Sequence, residues 1–254
     1  MSVISGTGRS GRTQISRLLL VQSATALFLS ACAQVYVSPD VATELSGVQV
    51  TSGSIALDTS GVVLRGDVGI LPQNANLIAY HRFSNGDQLL GFDVSVSLPG
   101  GLHVQPGDLV RYDGSSFMLF FDAAANGVPA GARVDAAAVD AAGNLLISFD
   151  ITVQVGSVTV EDEDLVRFDG AAFSAGFDAS AAGVSKDLDL DAAHIPAPDI
   201  LRVSFDGSSH VGGVDFADED VLQYDVVSAS WSLYYRGSSA HASWGPADLD
   251  AFSE

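Results

Sequence analysis

The stretch DLVRYDG, residues 108–114, returns as DLVRFDG at 164–170 and in looser form as DVLQYDV at 220–226. The interval is 56 residues both times, which marks a structural repeat and not a single site. Other elements keep step with it. Phe92-Asp93, Phe149-Asp150 and Phe205-Asp206 precede it, and FMLFFD (117–122), FSAGFD (173–178) and WSLYYR (231–236) follow it. A further element opens each unit: RVDAAAV (133–139), DLDAAHI (189–195), DLDAFSE (248–254) and a degenerate copy, NLIAYHR, from Asn76.

Periodicity identifies these elements as strands. In LLISFDITVQV, Leu145, Ile147, Phe149, Ile151, Val153 and Val155 alternate with more polar neighbours, and Leu90, Phe92, Val94, Val96 and Leu98 repeat the pattern. A period of two places alternate residues on one face of an extended chain. The Asp-Gly pairs that close LVRYDG and LVRFDG supply the positive φ angles of a tight turn. Each unit therefore reads as an Ala-rich strand, a long alternating strand, the repeated phrase and an aromatic strand. Alanine is a poor strand former, so Ala136–Ala138 and Ala192-Ala193 call for crowding around them; a short helix is the competing reading.

Four antiparallel strands in about 56 residues resemble a β-propeller blade, longer than a kelch blade and without its diglycine or a Trp-Asp signature. The resemblance implies an all-β fold of four blades. Three units are complete (76–132, 133–188 and 189–247), and the fourth is shared by 44–75 and 248–254, so that both chain ends close the ring. Shared closure leaves no open ring for further strands to join. Two packed β-sandwiches or a β-solenoid would satisfy the same periodicity.

The charge is asymmetric. Arg9, Arg12 and Arg17 lie before residue 32, and the eight remaining basic residues face all 31 acidic ones. Such a surface repels nucleic acid and favours cations or basic partners. The three arginines precede an apolar run, Leu18–Leu29, too short to span a bilayer. Leu29-Ser30-Ala31-Cys32 then resembles the lipobox of bacterial lipoproteins. The resemblance implies a signal peptide over 1–31, lipidation of Cys32, a tether over 32–43 and a propeller domain over 44–254. Cys32 is the sole cysteine, and lipidation would remove an otherwise free exported thiol. Ala33 after the cysteine implies the outer membrane in a Gram-negative source. The expected location is thus the cell envelope, with the membrane engaged through the lipid.

An aspartate present in every unit does the same work in each, so Asp108, Asp164 and Asp220 read as strand-end residues bonding to backbone amides. Ligands are better sought elsewhere. His81 and His194 come from alternate blades and would face each other across the axis, while Asp135, Asp191 and Asp250 form a partial ring broken by Ile78. Together they are candidate ligands for a divalent cation. Four-bladed propellers that resemble the haemopexin domain hold ions on the axis, although that family's motifs are absent here. Glu161–Asp164 and Asp218–Asp220 are oxygen-rich but lack a calcium-loop glycine. Trp231, Tyr234, Tyr235, Arg236 and Trp244 make a candidate protein or glycan surface. No catalytic motif stands out. The expected function is a non-catalytic binding or interaction module; an envelope hydrolase or lyase working in the axial funnel, and a cation-binding structural or adhesion protein, are the alternatives.

Overall fold

The computed structural model describes residues 34–254; the expected signal segment and Cys32 lie outside the described residues. Four four-stranded antiparallel sheets follow one another in a ring. The first blade orders Leu77–Arg82, Gln88–Phe92, Leu109–Tyr112 and Phe117–Phe121 from the axis outward, and the second repeats this with Val134–Val139, Leu145–Phe149, Leu165–Phe168 and Phe173–Phe177. The third is built from Leu190–Ala197, Ile200–Phe205, Asp220–Asp225 and Ser230–Arg236. The closing blade takes its innermost strand, Leu249–Ser253, from the C-terminus and its other three, Gln34–Pro39, Ala56–Thr59 and Val62–Arg65, from the N-terminal side. The chain is therefore a four-bladed β-propeller with shared closure.

Two details differ from the sequence reading. Gln34–Pro39, expected within a tether, pairs with Leu249–Ser253 on one edge and Ala56–Thr59 on the other. Val35 and Val37 are buried there, so the segment contributes to the core and does not trail from it. The long alternating strands also break in the middle. Leu145–Phe149 stays in the blade, Ile151 is exposed, and Val153–Val155 turns back against Val158–Val160 as a separate two-stranded hairpin. Val48–Val50 and Thr43–Leu45 form the corresponding hairpin in the closing blade.

The core lies between blades. Leu89, Leu109 and Phe121 of the first pack on Val134, Ile147 and Phe149 of the second, and three similar clusters fill the other junctions. Alanine suits the innermost strand because its two faces meet different neighbours: Ala137 joins the cluster toward the first blade, Ala136 and Ala138 the one toward the third. All three are 0–1% exposed, which leaves no room for larger side chains.

Repeated polar residues hold each blade in register. Ser38, Ser148 and Ser204 donate from Oγ to paired carbonyls on the third strand's approach, at Ser54, Asp164 and Asp220 among others, over 2.8–3.0 Å. The aspartates of the opening phrase bond back to the chain. Asp108 accepts from the Gln105 and Ala123 amides, both at 2.9 Å; Asp164 accepts from Ala179 N at 2.9 Å; Asp220 accepts from Ala217 N and Gly237 N at 3.1 and 3.0 Å. Asp108 and Asp220 thereby satisfy amides at both ends of their hairpins, and Asp164 at one. In the closing blade Ser54 takes this place, accepting from Thr51 N at 2.9 Å.

Candidate functional site

The innermost strands run side by side around the axis, so equivalent residues form layers along it. At the end where these strands begin, two layers are rich in carboxylates. The outer one has Asn76, Arg133, Asp189 and Asp248, and the next has Ile78, Asp135, Asp191 and Asp250. Around them stand Asp40, Asp93, Asp150 and Asp206, one from each blade's second strand or its end.

Several of these carboxylates have structural partners. Asp40 accepts from Asp248 N, Asp206 from Asp189 N, and Asp150 from both Arg133 N and Arg133 Nε, at 2.7–2.8 Å. Asp250 accepts from Asn76 Nδ2 at 3.1 Å. The inner layer is less well satisfied. Asp135 is 8% exposed and its Oδ2 is buried with no hydrogen-bond partner among the described residues, as is Asp191 Oδ2.

Crowded burial changes their acidity. Burial pushes Asp135 up to about 9, reinforced by Asp189, Asp150 and Asp250 and opposed by Arg133. Burial likewise raises Asp191 well above the ordinary carboxylate range, with Asp248, Asp189 and Asp250 adding to it. Asp248 rises to about 8, and Asp189 and Asp250 to about 7, burial being the largest cause in each. A cation entering this mouth would meet desolvated oxygen donors with no positive group in their own layer. The oxygens of Asp135, Asp191 and Asp250 do not gather within 4.8 Å of one another, wider than a shared direct ligand shell.

His81 and His194 occupy another layer, three residues further along their strands, about 10 Å away at the usual rise. They face each other as the alternate-blade spacing implied, with ring centroids 5.9 Å apart. One ion cannot be shared between this pair and the aspartate layer at that separation. Burial lowers His81 to about 4 and His194 to about 3, the second also through His81 and Arg202, so both imidazoles are neutral at pH 7. The Ser253 hydroxyl lies 3.3 Å from His194 Nδ1, and Glu254, 3.7 Å from Nε2, is engaged by Arg202 and Tyr234 instead.

The acidic run before the second blade's third strand does gather. Oxygens of Glu161, Asp162 and Glu163 lie within 4.8 Å of one another, with Glu163 1% exposed. Lys186 Nζ stands 3.6 Å from Glu163 Oε1 and supplies positive charge there.

The aromatic surface is not formed. Trp244 is fully buried between the third and closing blades, and Trp231 is 8% exposed with its Nε1 donating to Ala182 O at 2.9 Å. Tyr235 is turned inward to Asp58, Tyr234 lies under the Arg202 guanidinium at 3.6 Å, and only Arg236 is exposed. These rings fill blade junctions, because aromatic area is most strongly stabilising where it leaves water.

A polar group not singled out in the sequence lies in the closing blade. His241 Nε2 is 2.9 Å from Asp58 Oδ2, both side chains 2% exposed, and Ser46 Oγ is 3.1 Å from His241 Nδ1. A signal was available: Asp58 stands where the other blades carry Tyr112, Phe168 and Tyr224.

No family model matches the chain, and no curated protein matches it. Solved structures with related shape include YCF48 bound to D1 peptide (9% identity, TM-score 0.36, covering 72% of this chain and 50% of that one). Others are the extracellular domain of the one component system BT4673 from B. thetaiotaomicron (10%, 0.36, 82% and 29%) and YCF48 from Cyanidioschyzon merolae (8%, 0.34, 73% and 54%). This chain spans about half or less of each. Among the described residues no helix is long and apolar enough to cross a membrane.

Proposed function

We propose that this is a lipid-anchored cell-envelope protein whose acidic propeller is a binding module, with a partly hydrated divalent cation received at the axial mouth. The observation that carries the reading is that Asp135 Oδ2 and Asp191 Oδ2, in the same axial layer, are each buried and unpartnered among the described residues, while the layer's remaining acid, Asp250, has one amide donor. Buried carboxylates without partners are costly, and a cation is the group that most directly offsets them. Asp135, Asp191 and Asp250 would hold it, and its role would be electrostatic, binding the three blades together at the mouth.

The axial funnel supports binding over catalysis. Its carboxylates and its histidines sit at different depths, so no carboxylate–histidine pair faces one reacting group there. Lipidation at Cys32 rests on the lipobox resemblance, and radiolabelled palmitate incorporation that disappears in Cys32→Ser tests it. For the mouth, the test is calorimetric titration of the full-length chain with Ca²⁺ and Mn²⁺, repeated on Asp135→Asn. Saturable binding lost in the variant supports the reading; equal heats from both proteins count against it.

A further inference from the structure

The closing blade departs from the others at three positions, and the three meet. On the third strand Asp58 replaces the aromatic residue of every other blade and is 2% exposed. In the small hairpin, the second and third blades begin their two-residue turns with Gly156 and Gly212; the closing blade uses Ser46, exposed and held at φ 47°. Positive φ suits glycine; Ser46 shares it with Ser60 and Ala229 at other turns, so the partners of its hydroxyl set it apart and not its backbone. In the connector leading from the third blade, His241 lies four residues after Gly237, where the preceding connector has Gly183 four residues after Ala179.

Hydrogen bonds order the three. Asp58 Oδ1 accepts from Gly61 N at 2.8 Å, and its Oδ2 accepts from Tyr235 OH at 3.2 Å and faces His241 Nε2 at 2.9 Å. A carboxylate so fixed selects the tautomer with the proton on Nε2, leaving the Nδ1 lone pair directed at Ser46 Oγ, 3.1 Å away. The same hydroxyl lies 2.8 Å from Gly61 O, so its proton has two acceptors, and rotation onto Nδ1 is the productive one.

We propose that Ser46 and His241 form a serine acyl-transfer centre, oriented by Asp58 as a positioning residue and acting on carboxylic esters presented from solvent. Ser46 Oγ bonds to the ester carbonyl carbon while its proton passes to His241 Nδ1. The carbon–alkoxy bond then breaks and Nδ1 returns the proton to the leaving alcohol. Water adds to the acyl-serine, giving its proton to Nδ1; the acid departs, and Ser46 Oγ takes the proton back. The nitrogens exchange the places they hold in the familiar serine protease arrangement, which leaves the proton count unchanged.

An internal control lies in the same blade. Ser60 is also an exposed serine opening a two-residue turn, at φ 52°, without a histidine beside it in any hydrogen bond of the described residues. The full-length protein is treated with an alkyl fluorophosphonate and the labelled peptides are mapped by mass spectrometry. Ser46 is expected to label roughly a hundred-fold faster than Ser60, the range a positioned general base supplies. His241→Gln should abolish the difference, and Asp58→Asn should slow labelling and displace its pH profile, which a purely structural role would not do. Because those two side chains are buried, Ser46→Gly gives a fold-safe check: p-nitrophenyl acetate hydrolysis should drop to the uncatalysed rate with the melting temperature held. Equal labelling of Ser46 and Ser60, no labelling of either, or an unchanged rate in Ser46→Gly overturns the proposal.

Discussion

His81 and His194, from opposite blades, stack across the propeller axis with ring centroids 5.9 Å apart and planes 30° from parallel. Two imidazoles this close and this buried cannot both be charged without large repulsion, and burial lowers each well below the ordinary 6.5. The unfolded chain therefore takes up protons that the folded chain refuses between about pH 6.5 and pH 4, and over that window this pair destabilises the fold as pH falls.

His81→Leu removes one of these groups at nearly constant volume. Relative to the wild type, its stability should rise as pH is lowered from about 6.5 toward 4, by up to about 1.4 kcal/mol per pH unit. Paired thermal melts at pH 7 and pH 4.5 check this. A difference that does not change with pH would mean that His81 titrates normally.

The aspartate layer has the opposite sign. A carboxyl whose folded value is raised loses stability as pH climbs above its unfolded value near 4, until it passes the folded value, about 9 for Asp135. In chelator, Asp135→Asn should gain stability on the wild type as pH is raised from 5 to 8, by up to about 1.4 kcal/mol per pH unit. Denaturant melts at both pH values measure it.

Asp108 is a tie and not a ligand. Asp108→Ala leaves the Gln105 and Ala123 amides without their acceptor, and a loss of about 2–4 kcal/mol is expected, the same with and without divalent cation. A loss that grows in the presence of cation would assign this residue to a metal site.

Trp244 should behave as core. Trp244→Ala is expected to cost about 3–5 kcal/mol in chemical denaturation, since the ring is fully buried at the junction of the third and closing blades. A folded variant of unchanged stability would reopen the case for this residue as a partner contact.

Repetition made the fold legible. Three copies of one phrase fixed the blade, and DLDAFSE, a first strand with no successors, pointed to closure by both ends. The strand Gln34–Pro39 was missed because six residues show too little alternation to stand out beside a lipobox. The break after Phe149 was hidden because Val153 and Val155 resume the same parity in a separate hairpin. At the mouth, Asp135, Asp191 and Asp250 could be aligned, but the layer beyond them is masked by Asn76 and Arg133, which interrupt the aspartates Asp189 and Asp248. The aromatic residues misled because composition does not distinguish an exposed ring from one between blades. Asp58 became conspicuous only once Ser38 was aligned with Ser148 and Ser204, which sets it opposite three aromatic residues.

The central claim, that the carboxylates of the axial mouth receive a cation, is tested most directly by the melting temperature of the full-length chain at pH 8, with chelator and with millimolar Ca²⁺. The account predicts a clear rise with Ca²⁺, at least several degrees, that shrinks at pH 5, where protons compete more strongly with the ion for the carboxyls, and is absent in Asp135→Asn. No rise at pH 8, or a rise of equal size in Asp135→Asn, would contradict it.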